Sequence, residues 1–266
     1  MRIAVLGSGS RGNAVVFESG GSAIMVDAGF GLRTLASRLA AARVRPESIE
    51  LVVLTHDHLD HIRGARRASA RWGWPIVATP GTLEVGGLDG EVRSLRAGAL
   101  IQTGELLVRC FRVPHDAAEP VAVLVESRRS GIRAGLVYDL GETTAALAHR
   151  FAGLDVLLLE ANHDTTMLWA GWYPAAVKRR IAGRLGHLSN YQAAHFAAEV
   201  AHRGLQRVVL CHLSQNNNTP RRAWVAVNDA LKRTTFRGSV GLAQQDSVAV
   251  VQVGSRSTAK QLELAI

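Results

Sequence analysis

Short apolar runs rich in β-branched residues alternate along this chain with longer stretches in which Ala and Leu recur at helical spacing. The runs "RIAVLGS", "NAVVFES", "SAIMVDA", "IELVVLTH", "WPIVAT", "LLVRCFRVPH", "PVAVLVES", "IRAGLVYD", "LDVLLLEA", "QRVVLCHLS", "GSVGLA" and "SVAVVQV" read as strands. The segments "LRTLASRLAAARV", "DHIRGARRASARWG", "TTAALAHRFA" and "NYQAAHFAAEVAHRG" read as helices. The last of these carries Ser189 as its N-cap, Gln192 three residues on, and Gly204 at its end. Strands and helices interleaved in this way predict an α/β protein, two sheets with helices outside.

Composition adds limits. At 266 residues and 47% hydrophobic, the chain can bury a large core without cross-links. Cys110 and Cys211 are far apart and form no disulfide framework, the apolar start is too short for a signal peptide, and no run approaches about 18 apolar residues. A reducing cytoplasm, with no membrane span, is the expected setting. The net charge of +9 is concentrated: residues 171–240 hold eleven Lys and Arg against Glu199 and Asp229, while the remainder has twenty of each sign. Such a segment suits a polyanion, nucleic acid first, or is a solvated Arg-rich surface.

The chemistry concentrates at strand ends. "THDHLDH" (55–61) packs three His and two Asp between a buried strand and a helix, and these are side chains that divalent metals prefer. Other strands finish in Asp27, His115, Asp139, Glu160 and His212, at the edge where α/β sheets gather their sites. "GSGSRG" (7–12) matches a dinucleotide fingerprint, but the following "NAVVFESGGS" leaves room only for a strand and hairpin, not a crossover helix. Its backbone with Ser8, Ser10 and Asn13 either binds a phosphate or makes an ordinary turn.

Taken in order, these residues resemble the metallo-β-lactamase fold superfamily: Asp27 first, then H-x-H-x-D-H at His56, His58, Asp60 and His61, then His115, Asp139 and His212. The resemblance implies an αββα sandwich over 1–254 as a single domain, with 255–266 a frayed tail. It also implies two divalent ions, Zn²⁺ first and Mn²⁺ as the alternative. His56, His58 and His115 would hold one ion, Asp60, His61 and His212 the other, and Asp139 would bridge them. Water bound to such ions loses a proton near neutral pH and can attack a phosphodiester. Asp27 would orient ligands, and Asp60 could also accept a proton.

Further motifs, "GSGSRGN", "PHDAAEPVAV", "YDLG", "LEANHD", "YPAAVKRRI", "GHLSN" and "CHLSQNNNTP", resemble the YycJ (WalJ) branch, although "YDLG" stands where Thr-Asp-Leu-Gly is expected. That branch implies a 5′-to-3′ exonuclease on DNA rather than RNA. A thioester or lactone hydrolase of the glyoxalase-II type is the alternative, and a binding module with a structural metal the weakest reading. Under the nuclease reading, Arg179 and Arg180 would hold phosphates, and Trp169, Trp172 and Tyr173 would either stack on bases or pack as core or lid. Ser189, Asn217 and Asn218 belong to loops that contact phosphate or merely turn, and His163 and Asp164 would support ligands. His187, placed like the non-ligand histidine of ribonuclease Z, would donate a proton to the leaving oxygen or cap a helix.

Overall fold

The computed structural model describes residues 1–88 and 92–254; the expected tail over 255–266 falls outside them. In chain order the strands are β1 (Arg2–Gly7), β2 (Ala14–Ser19), β3 (Ser22–Val26), β4 (Ile49–Val53), β5 (Ile76–Ala78) and β6 (Val92–Ser94). Then follow β7 (Leu100–Thr103), β8 (Leu106–Arg112), β9 (Val121–Ser127), β10 (Arg133–Val137), β11 (Val156–Glu160), β12 (Arg207–Cys211), β13 (Ser239–Leu242) and β14 (Ala249–Gln252). They form two seven-stranded sheets, ordered β14-β1-β2-β3-β4-β5-β6 and β13-β12-β11-β10-β9-β8-β7. Both are mixed: β3 to β6 and β10 to β13 run parallel, and the other pairs run antiparallel.

Alternation along each strand sorts the layers. Ile3, Val5, Val15, Phe17, Ile24 and Val26 join Val108, Cys110, Leu136, Val156 and Leu158 in one buried cluster between the sheets. Their neighbours face outward onto helices. Ala4, Leu6, Met25 and Val52 meet Leu35 and Leu39 of α1 (Leu32–Ala41). The same layer takes in Ile62 of α2 (Leu59–Ile62) and Ala65 and Ala68 of α3 (Ala65–Trp72). On the other side Leu157, Leu159, Val208 and Leu210 meet residues of three later helices. These are numbered after α4 (Pro80–Val85): α5 (Ala145–Arg150), α8 (Asn190–Glu199) and α9 (Pro220–Lys232). Between α5 and α8 lie α6 (Thr165–Ala170) and α7 (Ala175–Ile181). The result is the αββα sandwich.

Several local expectations change. The helix expected over 60–73 pauses between α2 and α3, because a loop crosses it: a Cβ on Gly64 would fall 2.0 Å from the Phe30 carbonyl oxygen. That loop is stitched to the motif by Asn13 N–H to Asp60 O (2.8 Å), Ala28 N–H to His61 O (2.8 Å) and Gly64 N–H to Ala28 O (2.7 Å). Gly29 approaches as closely, with a Cβ 1.7 Å from Asp60 O. The helix expected over 190–204 has the capping box of Ser189 and Gln192 but stops at Glu199. Beyond it, the His202 ring donates to Leu154 O and accepts from Gly204 N–H, folding the chain into a turn. The 13-residue α9 was not anticipated, nor were α4, α6, α7 and the short strands β6 and β7. The hairpin expected at Gly20 and Gly21 joins β2 to β3, with φ of 62° and 91° there. Among the described residues no helix is long and apolar enough to cross a membrane.

Candidate metal centre

The parallel strands of both sheets end at one edge, and the chain turns sharply where they stop. Asp27 after β3, Asp139 after β10 and His212 after β12 have φ of 60°, 53° and 51°. Left-handed backbone costs a non-glycine residue about 1–3 kcal/mol, so the surroundings must hold it in place. Asp27 is held by four donors: Thr55 N–H at 2.8 Å, the Thr55 hydroxyl, the Tyr138 hydroxyl and a His61 ring nitrogen at 2.7 Å.

At this edge the first sheet presents His56, His58, Asp60 and His61, and the second presents His115, Asp139, Glu160, His187 and His212. His56, His58 and His115 offer ligand atoms within 4.8 Å of one another; so do Asp60, His61 and His212, and so do His56, His61 and Asp139. Asp139 lies between: Oδ2 is 3.0 Å from His61 Nε2, and Oδ1 is 3.1 Å from His212 Nδ1. Asp60 Oδ2 is 3.4 Å from His212 Nε2 and 3.5 Å from His61 Nε2.

Most rings are anchored through one nitrogen and offer the other. His61 is anchored through Nδ1 on Asp27, His56 through Nδ1 on the Thr55 hydroxyl at 3.0 Å, and His115 through Nδ1 on Gly186 O at 3.0 Å. His212 Nδ1 lies 3.1 Å from Glu160 Oε1. The same Glu160 oxygen takes His187 Nδ1 at 2.7 Å, while its other oxygen accepts Leu188 N–H. His56 Nε2 is buried without a hydrogen-bond partner, and so is Asp139 Oδ2, whose 3.0 Å contact with His61 Nε2 lacks hydrogen-bond alignment. Buried polar atoms normally have one, and these two belong to a group, with His61, whose ligand atoms lie within 4.8 Å of one another.

Electrostatics agree with a cationic guest. Burial, then the neighbouring His61, pushes His56 well below the usual imidazole value, and burial lowers His115, so both present neutral rings. Burial would raise Asp60, but hydrogen bonds from His212 and His61 hold its carboxyl far below the carboxylate range. Asp139 is likewise held well down by His212 and His61 against burial. For His212 and His187 burial acts downward, yet the facing carboxylates, Asp139 and Glu160, outweigh it and lift them to about 9 and about 10. Excess protons therefore sit on the rings facing carboxylates, and on His212 a bound cation would displace its proton. The cleft over the centre encloses about 200 Å³, and its walls include Ser10, Asp116, Val177, Arg180 and His187.

A model of the β-lactamase superfamily domain matches residues 22–213. The chain belongs to the metallo-β-lactamase superfamily. Within that superfamily it falls in the YycJ/WalJ branch. It is 28% identical over 242 residues to the exodeoxyribonuclease YycJ of Bacillus anthracis, covering 89% of this chain and 91% of that protein. To the exodeoxyribonuclease WalJ of Streptococcus pneumoniae it is 30% identical over 226 residues, covering 82% and 83%. Among solved structures, the metallo-β-lactamase fold protein YhfI from Bacillus subtilis superposes with a TM-score of 0.70 at 17% identity, covering 94% and 98%. Zn²⁺-bound PqqB from Methylobacterium extorquens gives 0.67 at 18%, covering 95% and 100%. The chain is a metal-dependent hydrolase of this superfamily.

In this superfamily member the other singled-out residues fall into groups. Ser10 lines the cleft, but Ser8 and Asn13 are buried behind it: the Ser8 hydroxyl accepts His212 N–H and donates to Asn13, whose amide reaches His61 Nε2 at 3.1 Å. Arg180 lines the cleft, with Nε donating to Asp116 at 2.5 Å, whereas Arg179 is exposed beside it. Ser189 caps α8, Asn217 donates to Ser214, and Asn218 donates to Ala161 O and Asn162 O. Asp164 caps α6 and pairs with Arg222; His163 is buried, with Nδ1 unpartnered and burial lowering it to about 4. Trp169 and Trp172 are exposed rather than packed in a core. Sequence reasoning marked Glu160 only as an acidic strand end and passed over Thr55, Tyr138 and Asp116. Glu160 was signalled by being an acidic strand end and Asp116 by being a carboxylate next to His115; Thr55 and Tyr138 adjoin His56 and Asp139 in the same way, but their residue types do not mark them as supports.

Proposed function

We propose that the chain is a dinuclear, metal-dependent phosphodiesterase that removes nucleotides from the 5′ end of DNA. The observation carrying this reading is the arrangement of two histidine-rich ligand groups on either side of Asp139, facing one small cleft. His56, His58 and His115 would hold one ion, and Asp60, His61 and His212 the other, with Asp139 shared. The partnerless His56 Nε2 and Asp139 Oδ2 fit that assignment. Bound Zn²⁺, or Mn²⁺ as the alternative, would supply positive charge that polarises a phosphoryl oxygen and acidifies water at the site.

The chain's own residues do the rest. His187 is steadied through Nδ1 by Glu160, which leaves Nε2 to donate a proton to the departing 3′-oxygen. Asp60, kept ionised, can accept one. Ser10 and Arg180 on the cleft walls would take non-bridging phosphate oxygens. DNA as the substrate is supported by the names of the YycJ and WalJ relatives. The test is digestion of single-stranded DNA and RNA, labelled at either end, with Mn²⁺ or Zn²⁺. The 5′ label is expected as a mononucleotide at once, while 3′-labelled DNA shortens progressively. Preferential cutting of RNA, or hydrolysis of a thioester with no cutting of either strand, would overturn the proposal.

A further inference from the structure

The charge excess over 171–240 draws attention to one side of the cleft, yet the other side carries a cationic feature that overall balance conceals. Residues 61–83 contain four arginines and no acidic residue. Three of them, Arg63, Arg67 and Arg71, recur every fourth position. Arg63 and Gly64 keep right-handed helical dihedrals between α2 and α3, so the helical path continues through the pause and these three share one face. All three are exposed, while Ala65 and Ala68 face the core. Successive arginines are anchored about 6 Å apart along the helix axis, close to the spacing of neighbouring phosphates on one strand.

The stripe begins at the cleft. Arg63 Nη1 donates to Arg11 O at 3.4 Å, and the preceding Ser10 lines the cleft wall. The same loop is tied to Asp60 through Asn13. Arg67 and Arg71 have no ion-pair partner among the described residues. Like charges one turn apart repel and weaken a helix, and nothing in the packing of α3 calls for them. α7, by contrast, meets the cleft on the other lip, where Arg180 binds Asp116 beside His58 and His115.

We propose that Arg63, Arg67 and Arg71 form a second track for the sugar–phosphate backbone of a nucleic-acid substrate, leading away from the cleft over the lip formed by Ser10 and Arg11. This rests on the phosphodiesterase reading above. The track takes phosphates without reading bases, since arginines on an exposed helix face present only positive charge to the strand.

The test compares affinity for a nuclease-resistant phosphorothioate DNA of 15 nucleotides with affinity for a trinucleotide that fills only the cleft. The R67E/R71E variant should bind the long strand at least about tenfold more weakly and flatten its salt slope by about 1.4, two contacts at about 0.7 each. The trinucleotide should distinguish it little from the parent. R45E/R207E makes the same charge change near the opposite ends of the strands and should cost much less on the long strand; if reversal disturbs α3, R67Q/R71Q serves the same comparison. Losses equal to those of R45E/R207E, or equal on both lengths, overturn the track alone. A parent that binds neither oligonucleotide overturns the phosphodiesterase reading and the track together.

Discussion

Asp27 makes no contact with the cleft, yet it fixes His61, Thr55 and Tyr138 at once from the bottom of the centre. Partners of this kind set which ring nitrogen faces a metal, and losing one typically costs 10–100-fold in metal affinity. Asp27→Asn is therefore expected to weaken metal binding by about that factor, measured by competition with a chelator. The carboxylate network also sets a pH dependence. In metal-free protein His212 and His187 titrate at about 9 and about 10, above the ordinary imidazole value near 6.5. Values raised by folding add stability that is complete below about pH 6.5 and disappears as pH rises through 9 and 10. The melting temperature of chelator-treated protein should fall across that window, and His187→Ala should flatten the fall; an unchanged slope would mean that the ring is neutral throughout. Ligand types were legible in the sequence because several His and Asp stand at strand ends together, where a lone one would more often be an ordinary loop residue. Their supports were not. Thr55, Tyr138 and the Gly186 carbonyl are ordinary residues until the fold brings them under a ring, and Glu160 gives no sign in sequence that it lies between two histidines.

Elements show the same division. Strands were legible because each buries one or both faces, and the capping signal at Ser189 and Gln192 is a local hydrogen-bond pattern that needs no tertiary partner. Its loss in Ser189→Ala should cost about 1 kcal/mol in a denaturant titration. α9 escaped notice although Thr219 caps it, Pro220 opens it, and Ala223, Val227 and Leu231 form its buried stripe. Trp224 and Val225 blur that stripe, and only α8 and β13 lying against it reveal the face. β6 and β7 are short strands at the sheet ends with few buried positions, so little hydrophobic pattern announces them. The early end of α8 depends on His202 finding a carbonyl 48 residues away in sequence, which no local rule contains.

Across the whole molecule, the centre joins the two sheets: one contributes Asp27 and the His56–His61 run, the other His115, Asp139, His187 and His212. A metal held across that junction binds the folded state alone, so it should stabilise the sandwich by about 2.7 kcal/mol at a hundredfold excess over its dissociation constant. Thermal melting at rising Zn²⁺ or Mn²⁺ reads this directly. Asp139→Ala should bind less metal by elemental analysis and lose most of the shift; a full shift in that variant would place the junction elsewhere. The backbone stitching of the motif has a consequence for inheritance and design. Because Gly29 and Gly64 leave no room for a side chain against the carbonyls of Asp60 and Phe30, "HDHLDH" is not a portable cassette. Recombination or grafting that moves residues 56–61 to another sheet edge must bring both glycines and Asn13 with it, so a motif that looks like six contiguous residues is inherited as a unit spread from Asn13 to Gly64.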